Sequence, residues 1–296
     1  MPRGRPLVLS EAQRQARRLG IGGSDAAGVL GLSKYRTPLQ VYLDKIGQAP
    51  PREFGEEVEW GNRLEDDVID AYRDRMGVDV ATDIFLASDV HPFMLANLDG
   101  LASNGRIVEA KTVGYRTMHE WGEEGSDFVP TDYLCQAQHY LIVTGAPACD
   151  IAVLFGGQRF SVYTIAPDPE FHQILIEREA EFWRHVETRT PPPALAEDAG
   201  IMRYAYPVTE EAKRLSNAEQ ASVDRYEELS LRIKELTEER DGIKAALLQS
   251  LAGASRGVLP SGRELRQSVV NVAEHSVKAS TYVRFSIHTP KVKAVK

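Results

Sequence analysis

Residues 93–113, FMLANLDGLASNGRIVEAKTV, decide the fold of this 296-residue chain. Two apolar runs flank Asn104-Gly105, a strong hairpin signal, and TDIFLASD ahead of them reads as a third strand of one antiparallel meander. In RIVEAKTV the two-residue period of a strand sends Glu109 and Lys111 to one face. Where Asp99 falls depends on the loop. A two-residue Asn104-Gly105 loop would pair Asp99 with Ala110 and put the aspartate on the opposite face from Glu109. A three-residue loop, Ser103-Asn104-Gly105, with Gly105 left-handed in a type I plus bulge turn, pairs Asp99 with Glu109 and Asn97 with Lys111. The bulged loop is expected, because only it lets the three groups share a site.

Outward from the hairpin, Trp60, Leu64, Val68, Tyr72 and Met76 recur every four residues with Ile69 beside them, an amphipathic helix that Gly77 stops. Earlier, Ser10 caps a short helix through Arg18, glycines precede Ser24-Asp25 at a second helix start, and Thr37-Pro38 opens a third helix. After the hairpin, Pro130-Thr131 introduces a helix ending at Gly145, CDIAVLFGG and RFSVYTIA supply two strands, and Asp168-Pro169 opens another helix. This order predicts an α+β, or mixed α/β, layer fold around one sheet. TPPPAL at 190–195 is the clearest linker. Three segments follow: a core over 1–190, a connecting segment over 191–215 and an extension over 216–296. In the extension Tyr226, Leu229, Ile233, Leu236, Ile243 and Leu247 alternate three- and four-residue steps, with Arg240 on the seam. That stripe wants a partner, either within the chain in a helical hairpin, which is preferred, or on another chain. Glycines at 253, 257 and 262, followed by YVRFSI, suggest a small β appendage.

No stretch is apolar enough to span a membrane and the N-terminal apolar run is too short for a signal peptide, so a cytoplasmic protein is expected. Two cysteines, Cys135 and Cys149, cannot build an iron–sulfur or four-cysteine zinc site, which leaves hard oxygen ligands for any metal. A net charge of -8 looks wrong for a nucleic-acid binder. Distribution qualifies it: residues 1–20 carry five arginines against one glutamate, and five Lys or Arg with no acid follow Glu274.

Hydrolysing a phosphodiester requires a cation held by carboxylates, a positioned water and a positive group for the developing charge. Asp99, Glu109 and Lys111 offer these on one hairpin. The pattern alone is weak, since Glu211 and Lys213 repeat the Glu-x-Lys spacing, but VTEEAKRL reads as a polar helix start. Each group also has a structural alternative: a turn aspartate, or a salt bridge across an exposed strand face. Glu65, beside the core-facing Leu64 and Val68, adds a fourth group at the rim of a buried stripe, or is a solvated helix acid. Gln136 and Gln138 lie in an apolar helix, where amides order water, contact a strand backbone or bond at the core edge. Gly22-Gly23-Ser24 with Arg18 forms either a phosphate cradle or a hinge with an N-cap.

Taken together, RRLGIGGSDAAGVLGLSKYRTPLQVYLDKIG, WGNRLEDDVIDAYRD, LDGLASNGRIVEAKT and CQAQHYLIVTG resemble the YqaJ viral recombinase family, a branch of the lambda-exonuclease-like PD-(D/E)xK nucleases, over about residues 14–190. The resemblance implies a restriction-endonuclease-like core, a central mixed sheet flanked by helices. It implies Mg2+-dependent hydrolysis of one strand from the end of duplex DNA, 5′ to 3′, with Mn2+ able to substitute, in phage-type recombination with a single-strand annealing recombinase. On the matching positions, Asp99 and Glu109 become metal ligands with the Ala110 carbonyl as a further one. Glu65 approaches the metal through water, Lys111 orients or activates the attacking water, and Gln138 matches the family's active-site glutamine. Ser24 and Arg18 match the region holding the 5′-phosphate, though their spacing is one residue short, which leaves Arg17 as the other candidate. Lambda-type enzymes close into trimers around DNA, so a homo-oligomer is an expectation by analogy. An endonuclease or nickase would use the same centre without the phosphate pocket, and a non-catalytic scaffold for DNA ends would need no metal.

Overall fold

A computed structural model of the chain describes residues 11–51 and 55–271. The outermost basic residues, before residue 11 and after 271, and the YVRFSI strand lie outside the described residues.

The chain divides into two compact units, Met1–Val208 and Thr209–Lys296. The first begins with α1 (Glu11–Arg18), the two-residue strand β1 (Ile21–Gly22), α2 (Gly23–Val29) and α3 (Pro38–Lys45). Thr37 caps α3 by accepting the N–H of Gln40 while the Gln40 side chain returns to the Thr37 N–H, and Pro38 follows where no donor is needed. The long α4 (Glu56–Met76) ends at Gly77 as expected. Of its four-residue stripe only Val68 and Tyr72, with the adjacent Ile69, are buried; Trp60, at 56% exposed, stands outside the core.

The expected single meander is two sheets. β3 (Ile84–Ala87) pairs with β4 (Met94–Leu98) in a sheet ordered β1-β4-β3. β5 (Gly100–Ala102) and β6 (Ile107–Val113) belong to a five-stranded sheet with β2 (Val80–Ala81), β7 (Cys149–Phe155) and β8 (Arg159–Ile165), ordered β2-β5-β6-β7-β8. The run 93–103 therefore breaks at Asp99 and changes sheets. Asn97 pairs with Phe85, not with Lys111.

Strands β6 and β7 run parallel, joined by a 3-10 turn (Tyr115–Glu120) and α5 (Thr131–Thr144). β7 is buried on both faces apart from Leu154, as a central strand covered by helices must be. On one face Ile107, Ile151, Val153 and Phe155 pack with α5 residues Ala137, Tyr140 and Leu141; on the other Val108, Ala110 and Ala152 pack with α4. The fold is thus α+β, a mixed sheet between helices. α6 (Pro169–Glu187), capped by Asp168, closes the unit against α2, α3 and α5.

Part of the segment read as a linker is structured. A 3-10 turn (Ala196–Gly200) and α7 (Met202–Ala205) complete the first unit: Asp198 is fully buried, its carboxylate accepts from Thr37 Oγ1 at 2.5 Å, and Ile201, Met202 and Tyr204 pack with Tyr42 and Phe182. The apolar run is too short to show a period, which hid it.

In the second unit α8 (Asn217–Leu251) is one uninterrupted helix, and Leu251 packs beneath Gly257 of the hairpin β9 (Arg256–Val258) and β10 (Glu264–Arg266). The seam residues from Tyr226 to Leu247 are exposed, so the preferred intramolecular hairpin is absent among the described residues. No described helix is long and apolar enough to cross a membrane.

Candidate active site

The hairpin adopts the bulged loop. Gly105 has φ 83°, its N–H reaches the Ala102 carbonyl at 2.8 Å, and Ala102 N–H donates to Arg106 O at 2.9 Å. Gly100 faces Val108 and Leu101 faces Ile107, a register whose next step sets Asp99 opposite Glu109. There the ladder stops. A continued antiparallel pairing would satisfy the Ala110 N–H with a backbone carbonyl; instead Asp99 Oδ2 accepts it at 2.9 Å. The sheet change thus frees the aspartate from the strand and bonds it to the backbone between Glu109 and Lys111.

Glu109 is 3% exposed. Its Oε1 accepts from Lys111 Nζ and from Gln136 Nε2, the latter at 2.5 Å, while Oε2 is buried with no hydrogen-bond partner among the described residues. Burial pushes the Glu109 carboxyl up to about 8, and the nearby Asp99 and Glu65 charges add to burial against the pull of Lys111. The Lys111 ammonium is itself raised: burial disfavours its charge, but Glu109 and Asp99 outweigh that. Its Nζ also lies 5.4 Å from the Tyr133 ring centroid. Glu65, half-buried on α4 with Oε1 inaccessible to solvent, approaches from the helix side and acts on Glu109 electrostatically.

Gln136, not Gln138, is the glutamine that touches Glu109. Successive helix residues turn by about 100°, so two residues separated by one other point in nearly opposite directions. Gln138 Nε2 donates to Ala166 O at 2.8 Å, and its Oε1 accepts from Asp168 N at 3.1 Å and lies 2.7 Å from His172 Nε2, locking α5 to the start of α6. Gln136 Nε2 also donates to Tyr140 Oη at 3.1 Å, and that hydroxyl passes on to Asn97 O at 3.0 Å. Sequence reasoning weighed Gln136 only as a general polar amide and missed Tyr133 and Tyr140 altogether.

At the N-terminal end it is Arg17 that meets Ser24. Arg17 Nη2 donates to Ser24 Oγ at 3.0 Å, whereas the Arg18 guanidinium lies beside Gly47. A side chain on Gly23 would collide with Tyr140, its Cβ coming 2.5 Å from the ring, so the residue before Ser24 lies against the aromatic that touches Gln136. Beneath it lies an ion network that the sequence did not suggest. Asp25 is buried and bonded to Lys45 at 2.6 Å and Arg36 at 2.7 Å, and Lys45 also holds the Arg17 carbonyl at 2.8 Å. Burial alone would raise the Asp25 carboxyl, but Lys45 and Arg36 hold it well below the carboxylate range.

Among the described residues no three acidic, histidine or cysteine side chains converge as a ready cation cage. What fits a divalent ion is the Asp99–Glu109 pair with the Ala110 backbone carbonyl nearby. The buried, unbonded Glu109 oxygen and the oxygen-only donor set suit a hard cation.

Residues 14–147 match the YqaJ-like viral recombinase domain. The chain is 32% identical over 265 residues to the protein YqaJ of Bacillus subtilis (strain 168), an alignment covering 86% of this chain and 82% of that protein. A shorter stretch of 127 residues is 30% identical to protein R354 of Acanthamoeba polyphaga mimivirus, over 39% of this chain and 23% of that one. Among solved structures it is similar to LHK-Exo, an alkaline exonuclease from Laribacter hongkongensis, in complex with dAMP: TM-score 0.50 and 16% identity over 61% of this chain and 94% of that one. That likeness establishes a shared fold. The profile match spans the hairpin and both flanking helices of the site, and the Bacillus relative extends it over most of the chain; the chain belongs to the family of the YqaJ-like viral recombinase domain.

Proposed function

We propose that the chain is a divalent-metal-dependent DNA exonuclease that digests one strand, 5′ to 3′, from a free duplex end. The observation that carries this reading is the hairpin itself: Asp99 opposite Glu109, Lys111 bonded to Glu109, and a buried Glu109 oxygen without a donor among the described residues. Asp99, Glu109 and the Ala110 carbonyl would hold Mg2+ or Mn2+, which when bound supplies Lewis-acid stabilisation of the phosphoryl oxygens. Lys111 then faces the reacting phosphate as the cation that orients the attacking water, and Tyr133 limits its freedom. Gln136 fixes the rotamer of Glu109, and Glu65 adds negative charge that draws a divalent cation toward the pair. Arg17 and Ser24 supply a guanidinium and a hydroxyl for a terminal 5′-phosphate, close to the centre across Tyr140. The likeness to an exonuclease solved with a nucleoside monophosphate supports release of mononucleotides. The strand left behind is the substrate a single-strand annealing recombinase requires.

The test is digestion of linear duplex DNA bearing a 5′-phosphate or a 5′-hydroxyl, beside closed circles, with Mg2+ and with Lys111→Ala as control. Loss of linear DNA alone, faster with the phosphate and abolished by the substitution, is expected. Cutting of circles would replace the exonuclease with an endonuclease, and no cutting would leave a scaffold for DNA ends.

A further inference from the structure

The loop from Leu32 to Arg36 takes no part in the centre described above, yet it is braced to hold one aromatic ring in solvent. Ser33 Oγ donates to Asp132 Oδ1 at 2.5 Å and accepts the N–H groups of Tyr35 and Arg36 at 3.1 and 3.3 Å. Arg36 reaches Asp25 at 2.7 Å and Asp44 at 3.2 Å, and Lys34 pairs with Glu120 at 2.8 Å. Between these anchors Tyr35 projects, 58% exposed, with the Lys34 ammonium 5.3 Å from its ring centroid. Asp132 directly precedes Tyr133, the residue whose ring receives Lys111, so the Ser33–Asp132 bond fixes the loop at the edge of the catalytic centre. The Tyr133 phenol, raised first by burial, also senses both Lys111 and Tyr35.

We infer that Tyr35, with Lys34 beside it, is a stacking platform for an unpaired nucleobase of the strand being cut; this rests on the nuclease reading above. A strand that gives up nucleotides one at a time must leave its duplex partner before hydrolysis, and a base that has lost its stack needs another surface. An aromatic face accepts every base, which suits an enzyme that must not depend on sequence, and a neighbouring ammonium can meet the adjoining phosphate. The braced loop has already lost the freedom that stacking would otherwise cost. Tyr35 gains little by packing on its own chain, whereas base–aromatic stacking is worth enough to change binding about tenfold.

The experiment uses the full chain as Lys111→Ala, which should bind DNA without cutting it, and duplexes carrying 2-aminopurine at successive positions from the 5′ end of one strand. Binding should quench the fluorescent base at one or two terminal positions. Adding Tyr35→Ala should abolish that quench and weaken binding about tenfold, and Tyr35→Phe should keep both. In the cutting enzyme Tyr35→Ala should raise KM on intact duplex about tenfold and have no effect when the terminal nucleotide is abasic. Quenching that persists in Tyr35→Ala, or an equal KM on intact DNA, overturns the platform while leaving the nuclease in place. Absence of both DNA binding and cutting overturns the two together.

Discussion

Gln136 Nε2 lies 2.5 Å from Glu109 Oε1, while the Gln138 side chain, on the same helix, bonds to the start of α6 and the residues before it. The two amides therefore have separable jobs. Gln136→Ala should lower kcat roughly 10- to 100-fold, as loss of a partner that orients a ligand does, with little change in Tm. Gln138→Ala should leave kcat within about twofold and destabilise by about 1–3 kcal/mol, because the Asp168 N–H and the Ala166 carbonyl lose a buried partner. Parallel measurements of kcat and Tm on both variants decide it, and the opposite pattern would return Gln138 to the centre.

Glu109 carries its buried oxygen beside Lys111, and the charges of Asp99 and, less strongly, Glu65 oppose its ionisation. A bound divalent cation relieves that repulsion only in the folded chain and should stabilise it. Mg2+ at about one hundred times its Kd is expected to add about 2.7 kcal/mol in wild type and distinctly less in Asp99→Asn. The readout is Tm against Mg2+ concentration. Equal shifts in both proteins would remove Asp99 from the ligand set.

The parts of this site that were legible in the sequence are local ones. Three loop residues, Gly105 among them, sufficed to place Asp99 across from Glu109, because a hairpin's register is written within the turn. Helix limits at Thr37, Gly77, Gly145 and Asp168 were readable for the same reason: each cap is made by its immediate neighbours. What stayed hidden is set by distant contacts. The change of sheets at Asp99 depends on β4 finding β1, more than 70 residues earlier, through a two-residue pairing with no periodicity to detect. Choosing Gln136 over Gln138 requires knowing how α5 is rotated on the sheet. The Asp25–Lys45–Arg36 network joins three elements through charges that, read singly, look like solvent-facing residues.

Asp150 on β7 is fully buried, and its carboxylate takes Arg106 Nε at 2.7 Å, Tyr72 Oη at 2.7 Å and Thr164 Oγ1 at 2.7 Å. It ties α4, which carries Glu65, to the hairpin that carries Asp99 and Glu109. Asp150→Ala leaves Arg106 without its charged partner and should cost about 3–5 kcal/mol. Tyr72→Phe removes one hydrogen bond and should cost about 1 kcal/mol. Urea unfolding midpoints at fixed pH measure both, and a loss for Asp150→Ala no larger than for Tyr72→Phe would show that the network is dispensable.

His139 on α5 stands with both ring nitrogens against acceptors, Nδ1 2.9 Å from Glu179 Oε1 on α6 and Nε2 2.9 Å from the Leu95 carbonyl on β4, with Asp25 of α2 adding a more distant negative charge. Burial opposes the charged imidazole, but Glu179 and the two hydrogen bonds overcome it, and the His139 pKa is raised. A base whose pKa is higher in the folded chain contributes stability fully below its unfolded value, about 6.5, and loses it as pH climbs through the folded value. Wild-type stability should therefore fall as pH rises above about 6.5. The paired substitution His139→Gln with Glu179→Gln keeps hydrogen-bonding groups in place but removes the titration, so its stability should be lower near pH 6 and flatter from there upward. Urea midpoints across pH 6 to 9 for the two proteins test this, and parallel pH profiles would assign the slope to other groups.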